Sequence, residues 1–179
     1  IIAENPYDKL KEAEEFKNNL NRDFNLSIPS MQSICFGKTE AIFGTVEERE
    51  SIKVYIKKSI DFAKILGCGN LVFGSPKNRI IGENQMDLAF SFFSELGDYA
   101  FKNGTVLALE PNPAIYGTNF LNTTNEALDF VKELNPTIVL FDRFMVEEQF
   151  GWRVSESCPN ALKTLNTEDL HSMRQARQL

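Results

Sequence analysis

The sequence predicts an α/β fold in which a parallel β-sheet is covered by helices. Three observations indicate this fold. Short segments are almost wholly apolar, the segments between them have apolar residues at helical spacing, and the pattern recurs at roughly 35 residues from the second strand onward, as expected of βα units. Strands that are apolar on both faces are typical of parallel sheets, because helices cover both sides.

The first two predicted elements are a helix over residues 6–20 and a strand that begins within residues 26–34. The helix has apolar residues three and four positions apart, so that they share one face: Leu10, Ala13, Phe16 and Leu20. Residues 26–34 alternate between apolar and small polar side chains, which is typical of a strand that continues into a loop.

The second predicted helix has signals at both ends. Thr45 and Glu48 have the spacing of a capping box, and an apolar stripe follows them. We expect Gly67 to end this helix in the left-handed conformation that glycine adopts easily. The next strand is predicted over residues 70–73, before a turn.

The same cycle then occurs twice more. A helix is predicted over residues 84–102 and a strand over residues 106–109. A second capping-box pattern, Thr123 with Glu126, starts a helix that precedes a fourth strand over residues 138–141.

Two architectures contain such units, an open doubly wound sheet and a closed (β/α)8 barrel. The sequence has no G-x-G-x-x-G motif and no P-loop after any predicted strand, which disfavours the open sheets that bind nucleotides. In both architectures the functional side chains lie at the carboxyl ends of the strands.

The composition excludes several classes of protein. The chain has 179 residues, of which 42% are hydrophobic and 25% charged, and this composition excludes a disordered chain. It has no run of about 18 apolar residues that would cross a membrane. The formal net charge of −6 disfavours a nucleic-acid partner. Three widely spaced cysteines and the absence of a signal peptide predict reduced thiols in a cytoplasmic protein.

Glu110 is the most specific candidate for chemistry. It directly follows the strand predicted over 106–109, so the backbone would place its carboxylate at the carboxyl end of the sheet, and Pro111 stops a helix from starting there. Such a carboxylate can bind a divalent metal or act as a base on a carbon next to a carbonyl. The spacing leaves two alternatives open, a helix-terminal carboxylate and an ion pair with Lys77 or Arg79.

Further charged residues follow the neighbouring strands. Lys77 and Arg79 lie in the loop after the second strand, where they could hold a phosphate or sugar hydroxyls or be simply solvated. Asp142 follows the fourth strand as Glu110 follows the third. It is a candidate second metal ligand, and a salt bridge with Arg143 is the alternative.

Three segments resemble a known family. They are SMQSICFGKTEAIFG at 30–44, LVFGSPKNR at 71–79 and LALEPNPAIYGTNFLNTTNEAL at 107–128. They are similar to the sugar phosphate isomerase/epimerase family of the xylose isomerase-like TIM barrels, a superfamily related to AP endonuclease family 2. The resemblance covers residues 1–142 and implies a (β/α)8 barrel with a divalent metal, Mn, Mg or Zn, at its carboxyl-terminal mouth.

The resemblance also implies an activity and a set of site residues. The reaction would be aldose–ketose isomerisation or epimerisation of a sugar or sugar phosphate, by proton transfer next to a carbonyl. Carried over by position, Glu110 is the catalytic residue and a metal ligand, and Asp142 is the second ligand. The substrate-binding residues would be Lys77, Arg79, Asn112, Tyr116 and Asn119. The alternative function is a non-catalytic α/β domain that binds a sugar or a protein partner.

The length predicts an incomplete barrel. A full barrel typically needs about 250 residues, so we expect part of one, with about four βα units visible and residues missing upstream of Ile1. Residues 1–150 would form the partial barrel. Residues 151–179 would form a divergent polar tail without strands but with a short helix over 167–178. Exposed sheet edges would favour self-association.

Overall fold

The computed structural model of the protein describes residues 6–134, 138–141, 152–156, 158–160 and 162–165. The chain divides into two compact units, Ile1–Ala127 and Leu128–Leu179. No helix among the described residues is long and apolar enough to cross a membrane.

Helices and strands alternate along the first unit. They are α1 (Leu10–Phe24), β1 (Ser30–Met31), α2 (Val46–Leu66), β2 (Asn70–Phe73), α3 (Met86–Lys102) and β3 (Val106–Leu109). Short 3₁₀ helices lie outside these elements, at Pro6–Asp8, Pro76–Asn78 and Ala114–Tyr116. The strands predicted over 70–73 and 106–109 therefore agree with the structure residue for residue.

The three strands of the first unit form a parallel sheet in the order β1-β2-β3. In its register Asn70 lies opposite Ser30 on one side and opposite Val106 on the other. Leu71 and Phe73 of β2 are completely buried, as expected for the central strand of a parallel sheet that helices cover.

Helix α2 begins and ends as the sequence predicts. The Thr45 hydroxyl accepts a hydrogen bond from the Glu48 backbone N–H at 3.2 Å, and the Glu48 carboxylate accepts one from the Thr45 N–H at 2.9 Å. This reciprocal pair is a capping box, which satisfies two backbone donors that the first turn leaves free. Gly67 ends the helix with φ of 69°.

The core of the first unit contains aliphatic residues from α2 and a cluster of phenylalanine rings. The α2 residues are Ile52, Ile56 and Ile60, all completely buried. On α3, the Phe93 ring packs edge-on against Phe73 of β2, with centroids 5.4 Å apart, and stacks on Phe120 at 6.2 Å. Because Phe120 lies in the segment after β3, this cluster joins that segment to the sheet.

The first helix differs from the prediction in both position and burial. Residues Pro6–Asp8 form a separate 3₁₀ turn, in which the buried Tyr7 hydroxyl donates to the backbone oxygen of Ile34 at 2.8 Å. Helix α1 therefore begins at Leu10, and it extends to Phe24, beyond the predicted end. On the predicted apolar face Ala13 is buried, whereas the Phe16 side chain is 57% exposed.

The second unit contains a strand that the sequence analysis missed. Along the chain, helix α4 (Thr124–Leu134) precedes the predicted strand β4 (Ile138–Phe141), which pairs in parallel with the missed strand β5 (Leu162–Leu165). The expectation of a tail without strands was therefore wrong. The strand was missed because two polar residues inside β5 interrupt the run of apolar residues by which the other strands were predicted. The helix predicted over 167–178 lies outside the described residues. The division at residue 150 stays a prediction.

Candidate active site

Three segments follow the strands of the first sheet at its carboxyl edge. They are the first loop (residues 32–44, after β1), the second loop (residues 74–85, after β2) and the third loop (residues 110–123, after β3). Because the strands are parallel, all three loops leave the same edge of the sheet. Most of the residues predicted for the site lie in the second and third loops.

The first and second loops are joined by a buried asparagine. The Asn78 side chain is 2% exposed, and its Nδ2 donates to the backbone oxygens of Lys38 and Glu40, both at 3.0 Å. The backbone oxygen of Asn78 accepts from the Ile42 N–H at 2.9 Å. Gln85 adds a second connection through a 3.1 Å bond from its Nε2 to the Phe43 oxygen.

The second and third loops are joined by a buried arginine. Arg79 is completely buried, and its Nη2 donates to the backbone oxygen of Glu110 at 2.7 Å and to Oδ1 of Asn112 at 2.6 Å. The Thr118 hydroxyl donates to the backbone oxygen of Arg79 at 2.8 Å. Arg79 is therefore bound to the third loop through both its side chain and its backbone.

The electrostatic environment of Arg79 is dominated by burial. Burial lowers the pKa of its guanidinium to about 10, and the nearby charge of Glu110 acts in the opposite direction. Since this pKa is well above neutrality, Arg79 carries a buried positive charge at pH 7. Its Nε and Nη1 have no hydrogen-bond partner among the described residues.

Asparagine side chains shape the third loop itself. Both polar atoms of Asn119 bond to the backbone of Ile81, with the Ile81 N–H donating at 2.7 Å and Asn119 Nδ2 donating to the Ile81 oxygen at 2.8 Å. Asn122 Nδ2 donates to the backbone oxygens of Asn112 and Thr118 at 2.8 and 3.0 Å. These bonds fix the course of the loop.

Each of the three loops also contains a residue other than glycine in the left-handed backbone region. These residues are Ser33, Asn84 and Leu121, with φ of 54°, 58° and 56°. The conformation is unfavourable for leucine, and Leu121 keeps it because its backbone oxygen accepts from the Asn112 N–H at 3.0 Å while its side chain is buried.

Glu110 lies at the end of β3 with an exposed side chain. Its backbone N–H donates to the Phe73 oxygen at 3.2 Å, which extends the pairing of β2 and β3 to the point where the site begins. Its carboxylate lies directly against Gly74, in the space that a Cβ at residue 74 would fill. Gly74 thus provides a cradle for the carboxylate at the carboxyl edge of the sheet.

The other predicted site residues fall into two groups. Lys77 and Tyr116 face the solvent, and the Tyr116 side chain is 61% exposed. Arg79, Asn112 and Asn119 are instead hydrogen-bonded within the loops. Asp142 lies outside the described residues.

The structure also bears on the ion pair that the sequence left open for Glu110. Arg79 donates to the backbone oxygen of Glu110, and among the described residues no salt bridge joins the Glu110 carboxylate to Lys77 or Arg79.

Sequence reasoning assigned no site role to three residues that build the site: Gly74, Thr118 and Asn122. Gly74 precedes the loop residues that were considered, and a glycine at the end of a buried strand is a recognised signal of close backbone approach. No local signal distinguishes Thr118 and Asn122 from ordinary polar loop residues, since their bonds depend on the tertiary fold.

The described residues fit one part of a divalent cation site. The Gly74 cradle positions a carboxylate, the type of oxygen ligand that Mg²⁺ and Mn²⁺ prefer. Among the described residues, no group of three or more His, Cys, Asp and Glu side chains could hold a metal ion. Glu110 could therefore supply one ligand, and the described residues alone do not form a complete metal site.

Comparison with known proteins identifies the family in which this arrangement of parallel strands and helices occurs. Residues 3–142 match the family described as xylose isomerase-like TIM barrel. The chain belongs to this family. The predicted membership and the predicted fold, an incomplete α/β barrel of the (β/α)8 type, are both confirmed. None of the curated proteins matches the chain.

Several solved structures are similar to this member of the family. A xylose isomerase-like TIM barrel protein from Mycobacterium smegmatis in complex with magnesium is 25% identical, with a TM-score of 0.51 over 70% of this chain and 43% of that chain. D-allulose 3-epimerase from Methylomonas sp. in complex with D-allulose is 19% identical, with a TM-score of 0.58, and the match covers 86% of this chain and 56% of that chain. A sugar phosphate isomerase/epimerase from Parabacteroides distasonis is 20% identical, with a TM-score of 0.57, and the match covers 86% of this chain and 55% of that chain.

This xylose isomerase-like chain spans about half the length of those relatives. The three parallel strands β1 to β3, with the helices that cover them, thus correspond to part of a barrel that is not closed.

Proposed function

We propose that a protein containing this chain catalyses the isomerisation or epimerisation of a sugar or sugar phosphate. The observation that carries the proposal is the carboxylate of Glu110, held over Gly74 at the carboxyl edge of the sheet in a member of the xylose isomerase-like family. Active sites of (β/α)8 barrels lie at this edge.

The proposed reaction is redox-neutral. A base removes the proton from the carbon next to the substrate carbonyl, and the electrons of that C–H bond form the double bond of an enediolate while the carbonyl electrons move to oxygen. Delivery of a proton by an acid on the opposite face of the same carbon gives an epimer. Delivery of a proton to the former carbonyl carbon gives an isomer, provided that the proton of the neighbouring hydroxyl moves to the former carbonyl oxygen. Glu110 would serve as this base or as a ligand to a divalent cation, and both roles use its ionised carboxylate.

The proposed substrate class is supported by similar proteins. One of them is an epimerase in complex with D-allulose, and another is D-psicose 3-epimerase in the presence of D-fructose. In this chain, the exposed Lys77 and Tyr116 would contact the sugar or its phosphate, while Arg79, Asn112 and Asn119 would shape the loops beneath. A lysine ammonium is suited to a phosphate oxygen.

We also propose that Glu110 is a ligand of a divalent cation, Mg, Mn or Zn. The support is the carboxylate in the Gly74 cradle and a similar protein in complex with magnesium. When bound, such a cation would supply positive charge for the oxygen that becomes negative during the reaction.

The test is solvent deuterium exchange. The protein is incubated in D₂O with D-fructose or D-allulose and Mg²⁺ or Mn²⁺, and deuterium in the sugar is followed by NMR. We expect exchange into the carbon next to the carbonyl, and we expect Glu110→Gln to lower its rate by at least about 100-fold, because removal of a general base has effects of this size.

Glu83→Gln is the matched control, because Glu83 is an exposed glutamate in the second loop. It should keep the exchange rate of the unsubstituted protein. The proposal would be contradicted if the protein bound the sugar without deuterium exchange and Glu110→Gln did not change that binding. This result would favour the non-catalytic sugar-binding alternative.

A further inference from the structure

We propose that Arg79 is a positioning residue that fixes the end of β3 and the side chain of Asn112, so that the Glu110 carboxylate is held in its working position. This inference rests on the proposed function, since it concerns the same carboxylate. It changes the role predicted from the sequence, because Arg79 would act through Glu110 and Asn112 instead of touching the sugar.

The geometry of the guanidinium supports this role. One nitrogen, Nη2, donates to two acceptors in the third loop, the Glu110 backbone oxygen at 2.7 Å and Asn112 Oδ1 at 2.6 Å. Both distances are short, as expected when the donor is charged. The contact fixes the peptide that follows the Glu110 side chain, and a shift of that peptide would move the carboxylate.

The surroundings of Arg79 keep it from moving. The backbone oxygen of Arg79 accepts from the Thr118 hydroxyl at 2.8 Å, and Asn122 bonds to the backbone oxygens of Asn112 and Thr118. The arginine therefore connects the second and third loops. The bonds of Thr118 and Asn122 resist a displacement of either loop relative to Arg79.

Stability alone does not explain an arginine at this position. Its guanidinium is completely buried, yet Nε and Nη1 have no hydrogen-bond partner among the described residues. A buried charge without full hydrogen bonding is unfavourable for folding, and apolar residues of similar volume often stabilise such positions better. A functional requirement would explain why an unfavourable buried charge is bonded to the backbone of a candidate catalytic residue.

Lysine would not perform the same task. Its ammonium ends on a shorter chain and lacks the planar guanidinium that aims Nη2 at the carbonyl and the amide oxygen together. Arg79→Lys therefore keeps the positive charge while it removes the geometry, and so separates electrostatic from positional effects.

The experiment compares Arg79→Lys with Arg49→Lys in the protein that shows deuterium exchange. Arg49 is a matched control, because its Nη1 also donates to two backbone oxygens, those of Ile42 and Gly44, both at 3.3 Å. We expect Arg79→Lys to lower kcat by about 100-fold, the loss that a small misplacement of reacting groups causes. The KM for the sugar should change less than about twofold, because Arg79 makes no substrate contact. Arg49→Lys should leave both constants unchanged.

Three outcomes of the kinetic test would overturn the inference. A large rise in KM with kcat retained would show that Arg79 binds the sugar directly. Loss of folded protein with kcat per folded molecule retained would show a structural role alone. Unchanged kinetics would show no role at this site.

A second variant and a second measurement keep the test independent of activity. Asn112→Ser removes one acceptor of Nη2 and should lower kcat without adding to the effect of Arg79→Lys in the double variant. In hydrogen exchange, Arg79→Lys should speed exchange within 110–122 and leave α2 protected. If the unsubstituted protein showed no sugar chemistry but this local loosening occurred, the proposed function would fail while the positional contact stood. Unchanged exchange in 110–122 would overturn the inference itself.

Discussion

At the scale of single residues, Gly74 determines where the Glu110 carboxylate can lie. A Cβ built on residue 74 would overlap Oε2 of Glu110, so any side chain there would displace the carboxylate. The backbone of Gly74 is not in the left-handed region, so what the glycine provides is space for the carboxylate and not an unusual backbone conformation. This makes residue 74 part of the site although it contributes no functional group.

Gly74→Ala should therefore impair the proposed reaction while the protein stays folded. We expect deuterium exchange into the sugar to fall by about 10-fold to 100-fold, because the carboxylate has to move by roughly the width of a methyl group. Gly69→Ala is the control, since a Cβ at Gly69 meets no atom within 4 Å. Equal exchange rates in both variants would show that the cradle does not position Glu110.

At the scale of secondary structure, local signals in the sequence define the helix ends that support the loops. The clearest case is the N-terminus of α2, where Thr45 and Glu48 form both bonds of a capping box. This end of α2 directly follows the first loop. Arg49, in the first turn of α2, also donates to the backbone oxygens of Ile42 and Gly44. The cap thus stabilises the helix and the loop that leads into it.

Thr45→Ala should lower the free energy of unfolding by about 1 kcal/mol, the usual loss when an N-cap hydroxyl is removed. Thr45→Ser keeps the hydroxyl and should retain most of this stability. Chemical denaturation followed by circular dichroism measures both. Equal midpoints for the Ala and Ser variants would mean that the cap contributes nothing beyond the intrinsic preference of the residue.

The predicted and observed elements show together what the sequence could and could not predict. Capping residues and runs of apolar residues act within a few positions of each other, so α2, β2 and β3 were predicted correctly. The strand β5 was missed because two polar residues interrupt its apolar pattern. In the site, the strand pattern was enough to place Glu110, whereas the inward direction of Arg79 and the bonds of Asn119 depend on contacts between loops that are distant in sequence.

At the scale of the whole molecule, the outer strands of the three-stranded sheet are a candidate surface for association. In the three-stranded sheet β1 and β3 are the outer strands, and the residues of β3 are only half-buried. A groove of about 230 Å³ beside β1 is lined partly by apolar side chains, among them Met31, Ile34 and Phe62. The outer edge of a sheet, where no other segment covers it, is a template for pairing with another chain.

We therefore expect the 179-residue chain on its own to self-associate as its concentration rises, which sedimentation velocity would measure. Ala108→Lys should weaken this association, because Ala108 is a half-buried residue of the outer strand β3 and a charge on an edge strand opposes pairing with another edge. Lys102→Ala, at the end of α3, changes a charge away from the edge and should leave the association as it is. A chain that stays monomeric at high concentration would show that its strand edges are covered, and equal association of Ala108→Lys and the unsubstituted chain would place the contact away from β3.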